Sequence, residues 1–132
     1  IRRQRQMCIR DSYNTLLISP PGMRKDDIVG DITRNISNGI PYKIQGLNVV
    51  VIDERGEISS TYRGIMQNDL GIRTDVINDI PKSIGMKIAI RSMAPQVLIA
   101  DEIGSVQDSE AIKYAMCSGC LCDLVACRTK KY

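Results

Sequence analysis

The sequence contains no histidine, tryptophan or phenylalanine, and five tyrosines are its only aromatic residues. Single-stranded nucleic acids bind largely by stacking their bases on aromatic side chains, so this composition argues against such a site. No apolar run is long enough to cross a membrane, and no signal peptide is visible. We therefore expect a cytoplasmic protein that binds no nucleic acid and is at most peripheral to a membrane.

The chain has no net charge outside residues 1–12. The whole sequence carries a net charge of +3, and residues 1–12 supply all of it through arginine. The segment MCIRDS, at positions 7–12, looks like a sequencing-library adapter read as protein. We predict that residues 1–12 are a non-native leader, that residues 13–127 form the folded core, and that residues 128–132 are a basic tail.

The lack of histidine weakens the metal site that the cysteines suggest. Four of the five cysteines lie near the C-terminus, and the first two have CxxC spacing: Cys117, Cys120, Cys122 and Cys127. A structural zinc site usually needs two such pairs or histidine partners. We expect reduced thiols and no metal here. The alternative, a metal-binding redox module, predicts bound zinc or iron by elemental analysis.

Hydrophobic periodicity predicts strands that alternate with helices. Continuous apolar runs predict buried strands at residues 15–19, 47–53, 96–101 and 121–127. Helical spacing predicts three helices, which contain Ile28, Val29, Ile32 and Ile36 before Gly39, then Ile84, Ile88 and Met93 after Pro81, then Ala111, Ile112, Ala115 and Met116 pointing inward. Residues 55–80 lack strong periodicity and are predicted to be a long functional loop. The alternation indicates an α/β fold with a mainly parallel sheet, helices on both faces, and ligands at the carboxyl ends of the strands.

The segment SPPGMRKDD follows the first strand, where a phosphate-binding loop would lie. In a GxxxxGK[ST] loop, glycines bring backbone N–H groups to the phosphates, the lysine neutralises them, and the hydroxyl binds magnesium. Lys25 occupies the lysine position. Ser19, Arg24 and Asp26 replace the two glycines and the hydroxyl residue. Asp26 and Asp27 suit the helix dipole but repel an anion, so the segment alone is more typical of a capped turn.

The segment QVLIADE is an apolar strand that ends in two acids, as a Walker B motif does. Asp101 would hold magnesium through water, and Glu102 would orient and activate the attacking water. A strand that ends in solvated acids explains the segment equally well when it is considered alone. A phosphate-binding loop and a pair of acids at the ends of two strands of one parallel sheet together indicate a nucleotide site more specifically than either feature does alone.

Four segments together resemble one protein family: NTLLISPPG, GLNVVVIDERGEISSTYRG, QNDLGIRTDV and MKIAIRSMAPQVLIADEIG. Over residues 13–119 the chain is similar to the stage III sporulation protein AA family of endospore-forming bacteria, P-loop ATPases similar to secretion-type ATPases. The resemblance implies a truncated P-loop NTPase core of the RecA/AAA-like type, with ATP and Mg²⁺ as ligands. It also implies ATP hydrolysis in the mother cell that energises a channel to the forespore, with other stage III channel proteins as partners and a homo-oligomeric ring.

The resemblance also assigns roles to individual residues. It implies that Lys25 and Glu102 are catalytic and that Asp101 binds Mg²⁺. It places seven residues around the nucleotide, namely Pro21, Gly22, Met23, Arg24, Lys25, Asp26 and Asp27. It places five more near the nucleotide or at a subunit interface, namely Asp53, Glu54, Arg55, Arg73 and Arg91. For these five, a salt-bridged scaffold is an equally good interpretation.

The chain departs from the family pattern at two places. Family members read Cys-Gly-Lys-Thr-Thr where residues 23–27 are Met-Arg-Lys-Asp-Asp, a change that a short out-of-frame stretch would produce. They also have a Thr-Ala-His sensor where this chain ends CLCDLVACRTKKY. A loop without its glycine and hydroxyl predicts weak or no ATPase activity. The alternative is a non-catalytic scaffold or oligomerisation domain that retains the P-loop fold.

Overall fold

The computed structural model describes residues 15–19, 24–118 and 123–128, which form seven strands and three helices. In chain order they are β1 (Thr15–Ser19), α1 (Lys25–Asn38), β2 (Gly39–Ile40), β3 (Ile44–Gln45), β4 (Val49–Asp53), β5 (Thr74–Asn78), α2 (Lys82–Ser92), β6 (Val97–Ala100), α3 (Val106–Cys117) and β7 (Asp123–Arg128). Each predicted strand and helix is present, and only the ends of some of them differ.

Five strands form one parallel sheet in the order β1-β7-β6-β4-β5. The short strands β2 and β3 form a separate antiparallel hairpin. Helix α1 lies on one face of the sheet, and α2 and α3 lie together on the other. Because the five strands run the same way, their carboxyl ends share one edge, which we call the carboxyl edge. The predicted α/β class with a parallel sheet and helices on both faces is confirmed.

Covered faces explain why the central strands are apolar without interruption. Every residue of β4 and β6 is buried. Alternate side chains of these strands pack against α1 on one face, and against α2 and α3 on the other. Val49, Val51, Val97 and Ile99 belong to the first core, and Val50, Ile52, Leu98 and Ala100 belong to the second. Both central strands, and therefore the acids that follow them, are held from two sides.

Helix α2 packs against the sheet over Gly85, Met86 and Ala89, with Ile90 partly buried beside them. Ile84 and Ile88, whose spacing predicted the helix, are exposed, whereas Gly85 and Ala89 are buried. A Cβ added to Gly85 would lie 3.0 Å from Ile52 Cγ2, so the helix backbone approaches β4 closely. Ile84 and Ile88, whose spacing predicted the helix, therefore do not lie on the face that α2 buries.

In helix α3 too, the predicted inward face differs in part from the face that is buried. Ala111 and Ala115 are buried, as predicted, but Met116 is exposed. Its predicted inward position was wrong because α3 packs against its neighbours over its alanines, and Met116 lies outside that narrow contact.

Strand β1 has its predicted bounds but not its predicted burial. Leu16 and Ile18 are 54% and 61% exposed, and Leu17 packs against the core beside α1. Within the described residues, β1 pairs with β7 alone at the margin of the sheet. An apolar run does not distinguish a central strand from a marginal one, because strand pairing joins segments that are distant in the sequence.

The region predicted as one long loop, residues 55–80, contains β5. This strand pairs with β4 at the other margin of the sheet, and no residue of it is fully buried. A five-residue strand that is only half covered carries a weak hydrophobic pattern, so the prediction missed it. The segment before β5 is ordered as well, since Ile58 and Leu70 are buried in the core beside α1 and Asn68 Nδ2 donates a hydrogen bond to Ile58 O at 2.8 Å.

The C-terminal cysteines lie mostly beyond the described residues. Cys117 is a free, exposed thiol. Cys120 and Cys122 fall outside the described ranges, as does the side chain of Cys127. Among the described residues, no group of three or more His, Cys, Asp or Glu side chains could hold a metal ion. The same part of the chain has no helix that is both long enough and apolar enough to cross a membrane.

Candidate functional site

Acidic residues from two neighbouring strands meet at the carboxyl edge. Strand β4 ends at Asp53 and is followed by Glu54, and β6 is followed by Asp101 and Glu102. Because β4 and β6 are paired directly, their ends lie side by side. Asp53 and Asp101 are buried, whereas Glu54 and Glu102 are half-buried. The fold thus brings four of the predicted site residues together.

Asp53 organises the loop that follows β4. Its Oδ1 accepts a hydrogen bond from Glu57 N at 3.0 Å. Its Oδ2 accepts two more, from Ser59 N at 2.9 Å and from Ser59 Oγ at 2.7 Å. Charge-assisted hydrogen bonds of this kind compensate for the burial of a carboxylate. Asp53 therefore acts structurally, and it holds the loop that carries Glu54 and Arg55.

Lys82 joins the two acidic strand ends, although sequence reasoning did not identify it. It is the first residue of α2, and its side chain is only 9% exposed. Its Nζ donates a hydrogen bond to Glu54 Oε2 at 2.6 Å and lies 3.1 Å from Asp101 Oδ1. The second contact is a short ion pair inside the fold, because the Asp101 side chain is only 6% exposed. The sequence signal that could have identified Lys82 is its position three residues before Gly85, which puts it on the face that α2 buries.

Burial and charge together set the pKa values of this group. Burial raises the pKa of Asp101, and the positive charge of Lys82 offsets only part of that effect. The charges of Asp53 and Glu54 raise it further. Burial alone would lower the pKa of Lys82, but its interactions with Glu54 and Asp101 outweigh burial and raise it. Lys82 is held as a cation, and ionised Asp101 gains from positive charge beside it.

A cleft of about 460 Å³ opens beside these acids. Residues that follow β4 and β6 line it together with the first turns of α2 and α3. Arg55 Nη1 lies 3.8 Å from Glu102 Oε2 across the cleft, a partly exposed ion pair that contributes little stability. The wall at α3 is held by a capping box, in which Ser105 Oγ accepts from Asp108 N and Asp108 Oδ2 accepts from Ser105 N. Glu102 therefore faces an open polar cleft with a fixed wall.

The N-terminus of α1 lies near the carboxyl edge, on the face of the sheet opposite α2 and α3. Three predicted site residues of the loop before it lie outside the described ranges, namely Pro21, Gly22 and Met23. Arg24 is exposed, and its Nε lies 4.0 Å from Asp27 Oδ2. Lys25, the first residue of α1, is half-buried. Within residues 24–118, no side chain makes a capping hydrogen bond at the N-terminus of α1.

Asp26 adds another negative charge at this place. Burial raises its pKa, and Lys25 offsets part of that effect. The charges of Glu57, Asp53 and Asp27 raise it further, so the start of α1 lies close to the end of β4. Oδ1 of Asp26 is buried and has no hydrogen-bond partner among the described residues. A carboxylate in this position opposes the binding of a phosphate.

Two predicted arginines lie at the opposite edge of the sheet. Arg73 immediately precedes β5, and Arg91 lies in the last turn of α2, which begins at the carboxyl edge. Both therefore lie near the amino ends of the strands, about 15 Å from the acids for five residues at roughly 3.3 Å each. Arg73 Nη1 donates a hydrogen bond to Ser37 O at 3.3 Å. Within one subunit the fold does not bring these arginines to the acids, and their role at an interface stays a prediction.

Asp101 is the buried carboxylate at the carboxyl edge that could contribute a ligand to a metal ion. Mg²⁺ usually binds one or two carboxylates, and phosphates and water complete its coordination. The Oδ1 atom of Asp101 lies 3.1 Å from Lys82 Nζ. The described residues contain no cluster that could hold a metal ion alone.

Comparisons with known proteins find relatives for most of the chain. A family profile described as "Sporulation stage III, protein AA" matches residues 2–130. The chain is 40% identical over 106 residues to stage III sporulation protein AA of Bacillus subtilis (strain 168), an alignment that covers 80% of this chain and 34% of that protein. It is 30% identical over 106 residues to uncharacterized protein ycf45 of Cyanidium caldarium, which covers 78% of this chain and 30% of that protein. The chain thus spans about a third of the length of these relatives.

Proposed function

Because the chain belongs to the stage III sporulation protein AA family, we propose that its carboxyl edge is the nucleotide site of a P-loop ATPase core that serves endospore formation. The observation that supports this most is the meeting of three segments, since the start of α1 and the acids after β4 and β6 lie at one edge. Parallel α/β sheets bind ligands where successive connections leave toward opposite faces. Here the chain passes from β1 to α1 on one face and from β6 to α3 on the other.

The proposed reaction transfers the terminal phosphoryl group of ATP to water. Lys25 and the positive end of the α1 dipole neutralise the outer phosphates. A bound Mg²⁺ would supply positive charge for the phosphate oxygens, and Asp101 would hold that ion. Glu102 orients the attacking water from the cleft and accepts its proton. The products are ADP and inorganic phosphate.

The loop of this chain weakens that site. Asp26 and Asp27 place two carboxylates at the N-terminus of α1, where a phosphate would bind. Arg24 replaces the glycine that allows a phosphate to approach the backbone. We therefore propose that the chain as it stands binds nucleotide weakly or not at all.

A calorimetric titration with Mg²⁺-ATP tests the proposal. The chain is compared with the triple variant Arg24→Gly, Asp26→Thr, Asp27→Thr, which restores the family loop, and with Asp31→Thr, an exposed change on the same helix. Binding by the triple variant alone supports an intact site with an altered loop. Binding by all three proteins would contradict the disabling role of the loop. A folded triple variant that binds no ATP overturns the nucleotide site.

A nucleotide-free scaffold is the second candidate, and the two carboxylates at the start of α1 favour it. Such a protein keeps the fold and an oligomer surface but hydrolyses no ATP.

For either candidate we propose a homo-oligomeric ring, partners among the stage III channel proteins, and a place in the mother-cell cytoplasm at the membrane facing the forespore. Arg73 and Arg91 are our candidates for the ring interface, because they lie away from the acids.

A further inference from the structure

The hairpin of β2 and β3 exposes a group of apolar side chains. Ile40 and Ile44 are paired across the two strands, so their side chains lie on the same face, and both are about half exposed. Tyr42, in the turn between them, is fully exposed. We call Ile40, Tyr42, Lys43 and Ile44 the hairpin tip. Apolar residues that are exposed singly need no explanation, but a group of them marks a surface that binds another body.

The backbone of the turn is strained at the residue that is most exposed. Tyr42 has a φ of 62°, in the left-handed region that bulky residues seldom adopt. Glycine or asparagine would make the same turn at less cost. The N–H of Lys43 donates a hydrogen bond to Ile40 O at 3.0 Å and closes the turn around this conformation. The fold thus accepts local strain and displays an aromatic ring to solvent, as functional loops do.

The charges beside the hairpin tip are positive. A cavity of about 310 Å³ opens between the hairpin and the start of β5, and its charged lining residues are Lys43 and Arg73. Among the described residues that line it, none is acidic. The hairpin joins the end of α1 to the start of β4, so it lies at the amino edge of the sheet, opposite the acids of the candidate site. This edge is therefore basic and apolar, whereas the carboxyl edge is acidic.

An anionic lipid surface fits these features. A tyrosine is favoured at the boundary of membrane and water, because its ring is apolar and its hydroxyl is polar. Isoleucines beside it would enter the outer acyl region, and a lysine keeps its ammonium among the headgroups while its stem follows the apolar residues. Basic residues are attracted to an anionic leaflet. A protruding tip suits a bilayer, which deforms around it, whereas a protein partner would need a matching groove.

We propose that the hairpin tip docks the protein on an anionic membrane surface, with Ile40, Tyr42 and Ile44 inserted and Lys43 on the lipid phosphates. The acidic carboxyl edge then faces away from the membrane, where its charges are repelled least, and the candidate site stays open to solvent. The inference goes beyond the proposed function, because the hairpin lies at the other edge of the sheet and docking needs no nucleotide.

Co-sedimentation with lipid vesicles tests the insertion of Tyr42. The unaltered chain should bind vesicles that contain phosphatidylglycerol, an anionic lipid, at least about tenfold more tightly than vesicles of phosphatidylcholine alone. Tyr42→Ser should weaken binding to the anionic vesicles about tenfold, because its ring no longer leaves water. Tyr62→Ser is the matched control, since Tyr62 is exposed beside Arg63 in the loop that Asp53 organises at the carboxyl edge. Equal binding by the unaltered chain and Tyr42→Ser overturns the proposal.

Lys43→Glu tests the charge of the hairpin tip. It should weaken binding to anionic vesicles about tenfold or more, because a repelled carboxylate replaces an attracted ammonium group. Lys113→Glu, an exposed change on α3, alters the net charge equally and should have little effect. The arginines of residues 1–12 are common to all variants, so a difference between these two reports the position of the charge. Equal weakening by both would show that net charge alone drives binding and would contradict the proposal.

Fluorescence reports the insertion directly and does not depend on weakened binding. The chain contains no tryptophan, so Tyr42→Trp introduces a single fluorophore at the hairpin tip. Its emission should shift to shorter wavelength when anionic vesicles are added, and the emission of the Tyr62→Trp control should not. Emission from Tyr42→Trp that vesicles leave unchanged contradicts insertion.

A second copy of the chain is the other body that would cover the hairpin tip, and sedimentation velocity without lipid distinguishes it. An oligomer that Tyr42→Ser dissociates would assign the tip to contact between copies and overturn the proposal. Self-association that Tyr42→Ser leaves unchanged, together with its loss of vesicle binding, supports docking on the membrane. Neither result depends on the ATP titration, because no nucleotide is present.

Discussion

Two of three aspartates at the carboxyl edge have partners that compensate for the burial of their carboxylates, and the third does not. Asp53 accepts three hydrogen bonds from its own loop, and Asp101 is paired with Lys82. Asp26 has a buried oxygen without a hydrogen-bond partner among the described residues, and its pKa is raised chiefly by burial. Burial of a carboxylate without compensation destabilises the folded state. Asp26 is therefore the residue at this edge whose replacement should stabilise the fold.

We expect Asp26→Asn to be more stable than Asp27→Asn by about 1 kcal/mol at neutral pH. Asp27 is the matched control, because it shares the helix dipole but its side chain is 68% exposed. The folded pKa of Asp26 lies above the ordinary value of 3.8, so its ionisation destabilises the fold as pH rises through that pKa. The advantage of Asp26→Asn should therefore be complete at neutral pH and disappear below the ordinary value. Thermal unfolding at both pH values measures it, and equal stability of the variants at neutral pH would refute the prediction.

Helix α1 ends where the hairpin of β2 and β3 begins, and a glycine makes this junction. Gly39 has a φ of 68°, in the left-handed region that glycine adopts without strain. Its N–H donates a hydrogen bond to Asn35 O, which closes the last turn of α1. The hairpin backbone packs so closely here that a Cβ on Gly39 would overlap the carbonyl oxygen of Ile44. The conformation of the junction and its packing therefore both require glycine.

A comparison of Gly39→Ala with Gly64→Ala should separate the effect of backbone conformation from the effect of packing. Gly64 has a similar φ of 77°, but a Cβ there would meet no atom within 4 Å, so Gly64→Ala reports backbone strain alone. We expect about 1 kcal/mol of destabilisation for Gly64→Ala, and about 2 kcal/mol more for Gly39→Ala because of the overlap. Urea unfolding measures both values. Equal losses would show that the hairpin moves away to accommodate the methyl group.

In the molecule as a whole, all three helices begin at the carboxyl edge. Helix α1 starts there on one face of the sheet, and α2 and α3 start there on the other. The positive ends of three helix dipoles therefore surround an edge rich in carboxylates, which they stabilise. The same field would attract a phosphate group, which would compete with the acids for it. This competition is the physical basis on which the two functions proposed above differ.

Glu102→Gln distinguishes those two functions when it is made in the loop-restored variant. If the protein is an ATPase, turnover should fall about 100-fold or more while ATP affinity is kept, because only the group that accepts the proton is lost. A scaffold should show no turnover before or after the change. Phosphate release and calorimetry provide the two readouts, and Glu110→Gln, exposed on α3, is the control. A loop-restored variant whose turnover survives Glu102→Gln would exclude Glu102 as the base.

The sequence predicted most of the elements, but it predicted the site only in part. Asp101 and Glu102 were identified because an apolar run that ends in acids is a local pattern. Lys82 was missed because a lysine at the start of a helix ordinarily faces solvent. Only the pairing of β4 with β6, and the close approach of α2 to them, shows that its ammonium lies between two carboxylates.

The alternation of strands and helices, and the acids at the strand ends, were determined by the sequence itself, because each depends on residues that are near neighbours in the chain. The tertiary structure decided that β1 is half exposed, that α2 buries Gly85 and Ala89 rather than Ile84 and Ile88, and that Arg73 lies far from Asp101. These features depend on which distant segments pair and pack. Hydrophobic patterns record how much apolar surface a segment must bury, but the partner that covers it is chosen only when the whole sheet forms.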